Sequence, residues 1–122
     1  MHVERHQVDL TTDGAGAATG YTPVVTGAVR SVRYVKTDFT DGVDFAVTSE
    51  ATGETIWAQD NVNASTTVHP RASVHGTDGT AALFAAGGTA LRDHIVVARD
   101  RIKIVASNGG ATKTGTFHVT IS

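Results

Sequence analysis

The chain has 122 residues, a formal net charge of −2 and no cysteine. That length suits one domain with a genuine core, and 40% hydrophobic against 18% charged residues excludes a disordered chain. Isolated Lys and Arg make no dense basic face for nucleic acid. Without Cys there is no disulfide framework or thiolate metal site, and no apolar run reaches the roughly 18 residues of a membrane span.

Thirteen Gly against two Pro, with abundant Thr and Val, favour β-structure with many turns. Aromatic residues are only 6%, so the core must be mostly Val, Ile, Leu and Ala. The N-terminus, M-H-V-E-R-H-Q-V, lacks a signal-peptide apolar core, which predicts a chain not exported by its own signal.

In chain order, His2 to Thr12 is extended, and residues 1–7 read as an edge or an N-terminal arm. Asp13-Gly14 with Gly16 turns the chain, and Ala17 to Thr22 returns to Pro23. Val24 to Gly27 is a kinked link, with Gly27 marking a bulge. Ala28 to Lys36 is a strand without clean alternation: Arg30, Val32 and Tyr34 share one face, and Val29, Ser31, Arg33 and Val35 the other. Apolar groups therefore fall on both sides. Thr37 to Gly42 reads as a polar loop.

Asp41 to Gln59 is the clearest unit, a β-hairpin. Val43, Phe45 and Val47 alternate with Asp44, Ala46 and Thr48, and Thr55-Ile56-Trp57-Ala58 returns. Two turns fit it. A three-residue loop, Ala51-Thr52-Gly53, sets Val47 opposite Trp57 and Phe45 opposite Gln59. A four-residue loop sets Val47 opposite Ile56 and turns Trp57 away. In either register Ile56 and Trp57 take opposite faces, so one leaves the main core for a second covering surface.

Ala64 to Val68 is a short strand ending at His69-Pro70-Arg71. From Ala72 to Arg92 the chain is Ala-, Gly- and Thr-rich, with a helical turn expected over Thr80 to Ala86 and stopped by Gly87-Gly88. A structured loop that long in a small domain points to function or an interface. His94 to Ala98, Ile102 to Ala106 and Thr114 to Ile121 are strands, separated by Arg99-Asp100-Arg101 and by the Asn108-Gly109-Gly110 turn. Roughly eight strands imply a single all-β domain over 1–122, an antiparallel β-sandwich or jelly roll with one long Ala/Gly-rich loop.

Chemistry-bearing constellations are sparse. His2 and His6 flank Glu4 on one strand face, a weak ligand set read as a solvated terminus, and His69, His75, His94 and His118 lack ligand spacing. No serine sits in a G-x-S-x-G elbow. Asp38, Asp41 and Asp44 read as solvated carboxylates. Neither a metal, another cofactor nor a catalytic residue is expected.

The runs V-x-G-A-V-R-S-V-R-Y-V, D-G-V-D-F-A-V-T-S-E-A-T-G-E-T-I-W and H-P-R-A, with the closing D-R-I-K-I-V-A-S-N-G-G-A-T-K-T-G-T-F-H-V-T-I, resemble small all-β virion structural proteins of tailed bacteriophages and prophages. The resemblance runs from about Val8 onward. It implies a non-enzymatic assembly role, capsid decoration (cement) above all, with a neck or tail component as the alternative. The implied partners are further copies of the chain and the major capsid protein or other virion proteins. The implied location is the virion, after synthesis in the bacterial host cytoplasm. The expected contacts are Val3 in the arm, Trp57, and Val74, His75, Leu83, Phe84 and Leu91 in the long loop. A carbohydrate-binding or adhesion module is the competing reading, resting on Trp57, Tyr21 and Tyr34.

Overall fold

The computed structural model describes residues 2–122. Ten strands form two antiparallel sheets with no helix among the described residues: β1 Glu4–Thr11, β2 Ala18–Tyr21, β3 Val25–Lys36, β4 Val43–Ser49, β5 Thr55–Val62, β6 Thr66–Val68, β7 Arg71–Ser73, β8 Arg92–Asp100, β9 Ile102–Ser107 and β10 Thr114–Ile121. One sheet runs β1-β10-β3-β8-β7, with β6 also on β3, and the other runs β2-β9-β4-β5. The chain is a β-sandwich.

Its winding follows a simple rule. Setting aside the three-residue strands β6 and β7 leaves eight, which pair from the ends inward: β1 with β10, β2 with β9, β3 with β8 and β4 with β5. The pairs β10–β3 and β9–β4 then join these into the two sheets. That is the winding of a jelly roll. The 41–59 hairpin is the tip of the wound ribbon, and the long connection carries two short strands, β6 within the expected 64–68 strand and β7, which was not expected. Of the two readings of the N-terminus, residues 4–7 form an edge strand, with Glu4 opposite Ile121 and Gln7 opposite His118.

Alternation alone does not decide which residues face inward, because bulges reset it. On β3, Ser31 faces Thr120 while Val29 faces Ile121, so Arg30 is an extra residue. The phase slips there, and Val29, Val32 and Tyr34 all point into the core. The expected two-faced strand is therefore a one-faced strand with a bulge. Arg30 leaves the plane, its Nε donating to Ser122 Oγ at 2.5 Å. On β5, Val47 faces Trp57 and Phe45 faces Gln59, as the three-residue turn requires, but Thr48 faces Thr55 and Ile56 is extra. Ile56 and Trp57 are thus both buried, correcting the expectation that one must leave the core.

Five aromatic rings fill the centre. Phe45 lies 4.5 Å from Tyr34, 4.8 Å from Phe117 and 5.8 Å from Trp57 between centroids, and Phe39 stacks on Tyr34 at 6.1 Å. Phe39 comes from the supposedly polar 37–42 loop, which instead plugs one end of the sandwich. It packs on Gly115, where a Cβ would lie 2.5 Å from the Phe39 ring. The Tyr34 hydroxyl is buried without a protein partner among the described residues, and burial pushes its pKa up to about 12. Tyr34→Phe removes that unpaired group, so stability should hold or rise by about 1 kcal/mol in denaturant titration. A clear loss would show that the hydroxyl is bonded.

The Arg99-Asp100-Arg101 break is the corner where the chain crosses between sheets. Asp100 accepts hydrogen bonds from the Ser49 hydroxyl, from the Ala51 N–H at 3.1 Å and from the Arg101 N–H at 2.8 Å, tying the corner to the β4–β5 turn. The Ser49 donation, reinforced by those N–H groups, holds the Asp100 pKa below the usual carboxylate value. A depressed folded pKa contributes stability above the unfolded value near about 3.9, lost as pH falls through the folded one. Asp100→Asn should therefore flatten the acid limb of a Tm-against-pH curve below about pH 4. An unchanged limb would contradict this role.

Candidate functional site

Between β7 and β8, whose residues Arg71, Ala72 and Ser73 pair with His94, Asp93 and Arg92, the chain leaves the sandwich as a lobe over 74–91. Three passes lie side by side. Ala82 N donates to Val74 O at 2.7 Å, Leu91 N to Ala82 O at 2.8 Å and Val74 N to Leu91 O at 2.9 Å. Single bridges join His75 to Ala81 and Leu83 to Ala90.

Two turns connect the passes. In the first, Gly76 N donates to Thr80 O at 2.9 Å, and the Asp78 carboxylate accepts from Thr80 N and Oγ1 at 3.0 and 2.7 Å. Those bonds, the Thr80 hydroxyl foremost, lower the Asp78 pKa. In the second, Phe84 N donates to Thr89 O at 3.0 Å, and Gly87 adopts φ 71°. The helical turn expected over Thr80 to Ala86 does not form. Five Ala and Leu positions before Gly87-Gly88 cannot offset helix nucleation, and strand-like partners satisfy the same backbone groups.

The lobe has a defined backbone but no core of its own. Val74, Leu83, Phe84 and Leu91 are all exposed, Phe84 at 83%. Asp78 is the only Asp, Glu, Lys or Arg between Val74 and Leu91. Exposed apolar side chains with charge depleted around them are the composition of an interface centre, not of ordinary surface.

Of the expected contact residues, Val74, His75, Leu83, Phe84 and Leu91 are brought together in this lobe, and all are exposed. Trp57 is corrected: it is 8% exposed, packs on Phe45, and its Nε1 donates to Gln59 Oε1 at 3.2 Å, so it belongs to the core. Val3 is exposed, but it precedes β1, at the opposite end of the strand order from β7. Sequence reasoning missed Val96, which points outward between the buried Ile95 and Val97. Its signal was the unbroken apolar run Ile95-Val96-Val97 on a strand with one covered face.

The other constellations are accounted for locally. Glu4 pairs with His2 at 3.0 Å and His6 at 3.4 Å, and no group of three metal-ligating side chains occurs among the described residues. The His94 ring lies between Arg30 at 3.2 Å and Asp93 at 3.3 Å. For sugar stacking, Trp57 and Tyr34 are buried, and the Tyr21 ring is covered by the Arg101 guanidinium at 4.1 Å. Two aromatic rings thus lie outside the core, Phe84 on the lobe and Tyr21 at the Asp100 corner. No helix is long and apolar enough to cross a membrane among the described residues. No protein-family model, curated protein or solved structure matches this chain.

Proposed function

We propose that this chain is a non-enzymatic structural protein of a bacteriophage virion, a capsid decoration protein whose 74–91 lobe seats it on the head shell and on neighbouring copies. The observation that carries this reading is the lobe: a hydrogen-bonded projection with Leu83 and Phe84 presented to solvent and one charge in eighteen residues. A rigid sandwich with a preformed apolar projection loses little conformational freedom on docking. Weak single contacts become firm when many copies engage one lattice, by mass action.

The jelly-roll winding is compatible with this role but does not select it, since capsid proteins and lectins both use it. The resemblance of the 25–35, 41–57, 69–72 and 100–121 segments to phage virion proteins supplies the rest. A neck or tail position would use the same lobe, and the particle part that binds separates the two. The test is to mix purified protein with undecorated heads of the encoding phage. Stoichiometric co-sedimentation is expected, and failure to bind head, neck or tail would overturn the reading.

A further inference from the structure

At the corner between β8 and β9, a second surface feature stands apart from the lobe. Val25 faces Asp100 and Gly27 faces Val97, so Ala98 and Arg99 together oppose Thr26. Arg99 occupies this bulge at φ 49°, the left-handed conformation that glycine adopts without cost. Its N–H donates to Thr26 Oγ1 at 2.9 Å, which fixes the backbone. Backbone geometry alone would favour Gly at this position. An arginine there costs strain, so its side chain is where a compensating role is to be sought.

The Arg99 guanidinium makes no hydrogen bond or ion pair among the described residues. Arg99 lines an open cavity of about 270 Å³ together with Val24, Glu50, Ala51, Asp100 and Arg101. The wall is rigid. Arg101 Nε and Nη2 donate to the two Glu50 oxygens at 2.5 and 2.7 Å, its guanidinium stacks on Tyr21, and Asp100 is held by Ser49 and Ala51. Glu50 takes only those two nitrogens, and Arg101 Nη1 has no hydrogen bond among the described residues. Val24, 63% exposed, adds an apolar side.

We infer that this corner binds a carboxylate of an acidic partner segment, with the Arg99 fork as its principal ligand and Arg101 Nη1 as the second. A guanidinium fork matches planar carboxylate and phosphate alike. The carboxylates of Glu50 and Asp100 in the wall decide between them, since they repel a dianion more strongly than a monoanion. The partner is therefore a protein surface bearing Asp or Glu beside an apolar residue that rests on Val24. This inference does not depend on the lobe or on the virion reading.

The test uses the isolated full chain and hexaglutamate, with hexaglutamine as the neutral control, read by NMR on the arginine Nε–Hε signals. Hexaglutamate should shift Arg99 and Arg101 saturably, and hexaglutamine should not. Arg99→Gly should abolish saturation without lowering Tm, because glycine suits φ 49°. Arg99→Lys should weaken binding about tenfold by losing the fork. Arg5→Gln, which removes a positive charge from β1, should leave binding intact. Absence of saturable shifts would overturn the inference. So would equal loss in Arg5→Gln and Arg99→Gly, or tighter binding of inorganic phosphate than of hexaglutamate.

Discussion

Phe45→Ala should lower the free energy of unfolding by about 3–5 kcal/mol, the largest effect of any single truncation considered. Phe45 is the hub of the aromatic cluster, touching Tyr34 and Phe117 from the facing sheet and Trp57 from its own. Its removal forfeits the burial of the ring and leaves a cavity between two sheets whose hydrogen-bond ladders prevent collapse. Against a total of about 5–15 kcal/mol for a domain, such a loss brings the chain close to unfolding. Phe84→Ala is the matched control. The chemistry is identical, but at 83% exposure the change should stay within about 0.5 kcal/mol. Chemical denaturation of both variants measures the contrast, and similar costs would mean that Phe84, not only Phe45, is buried in solution.

The second large effect is on association. The double variant Leu83→Asp with Phe84→Asp should leave Tm and the far-ultraviolet spectrum unchanged. The lobe's bonds run between main-chain atoms or through Asp78 and Thr80, and neither the Leu83 nor the Phe84 side chain belongs to the core. Binding to the head shell should weaken by at least about 30-fold, since charges placed at an apolar hot spot lose its burial and must be desolvated. The readout is a co-sedimentation isotherm. Unaltered binding by a folded double variant would move the docking surface away from the lobe.

Much of the architecture was legible because turn chemistry is local. The Asp41-Gly42 and Asp78-Gly79 turns place glycine at φ 87° and 85°, and the loop Ala51-Thr52-Gly53 sets Val47 against Trp57. The misreadings of β3 and of Trp57 share one cause. At Arg30 and Ile56 a single inserted residue slips the two-residue period, and no rule of alternation shows where a strand slips. That is why β3 looked two-faced and why Trp57 was expected at a surface. Phe39 was hidden by its polar neighbours, although a lone Phe among Thr and Asp was a usable sign.

The lobe was visible as composition but not as structure. Ala-rich residues favour helix locally, while three-way backbone pairing among Val74, Ala82 and Leu91 depends on where β7 and β8 hold the ends. Arg99 showed in the sequence only as part of a charged strand break. Its meaning comes from a bulge conformation that only the fold imposes.

The most direct test of the lobe as a docking element is a particle reconstruction of heads carrying this protein. Residues 74–91 are expected at the contact, with Leu83 and Phe84 buried against the shell or a neighbouring copy. A bound protein whose lobe points into solvent would contradict it.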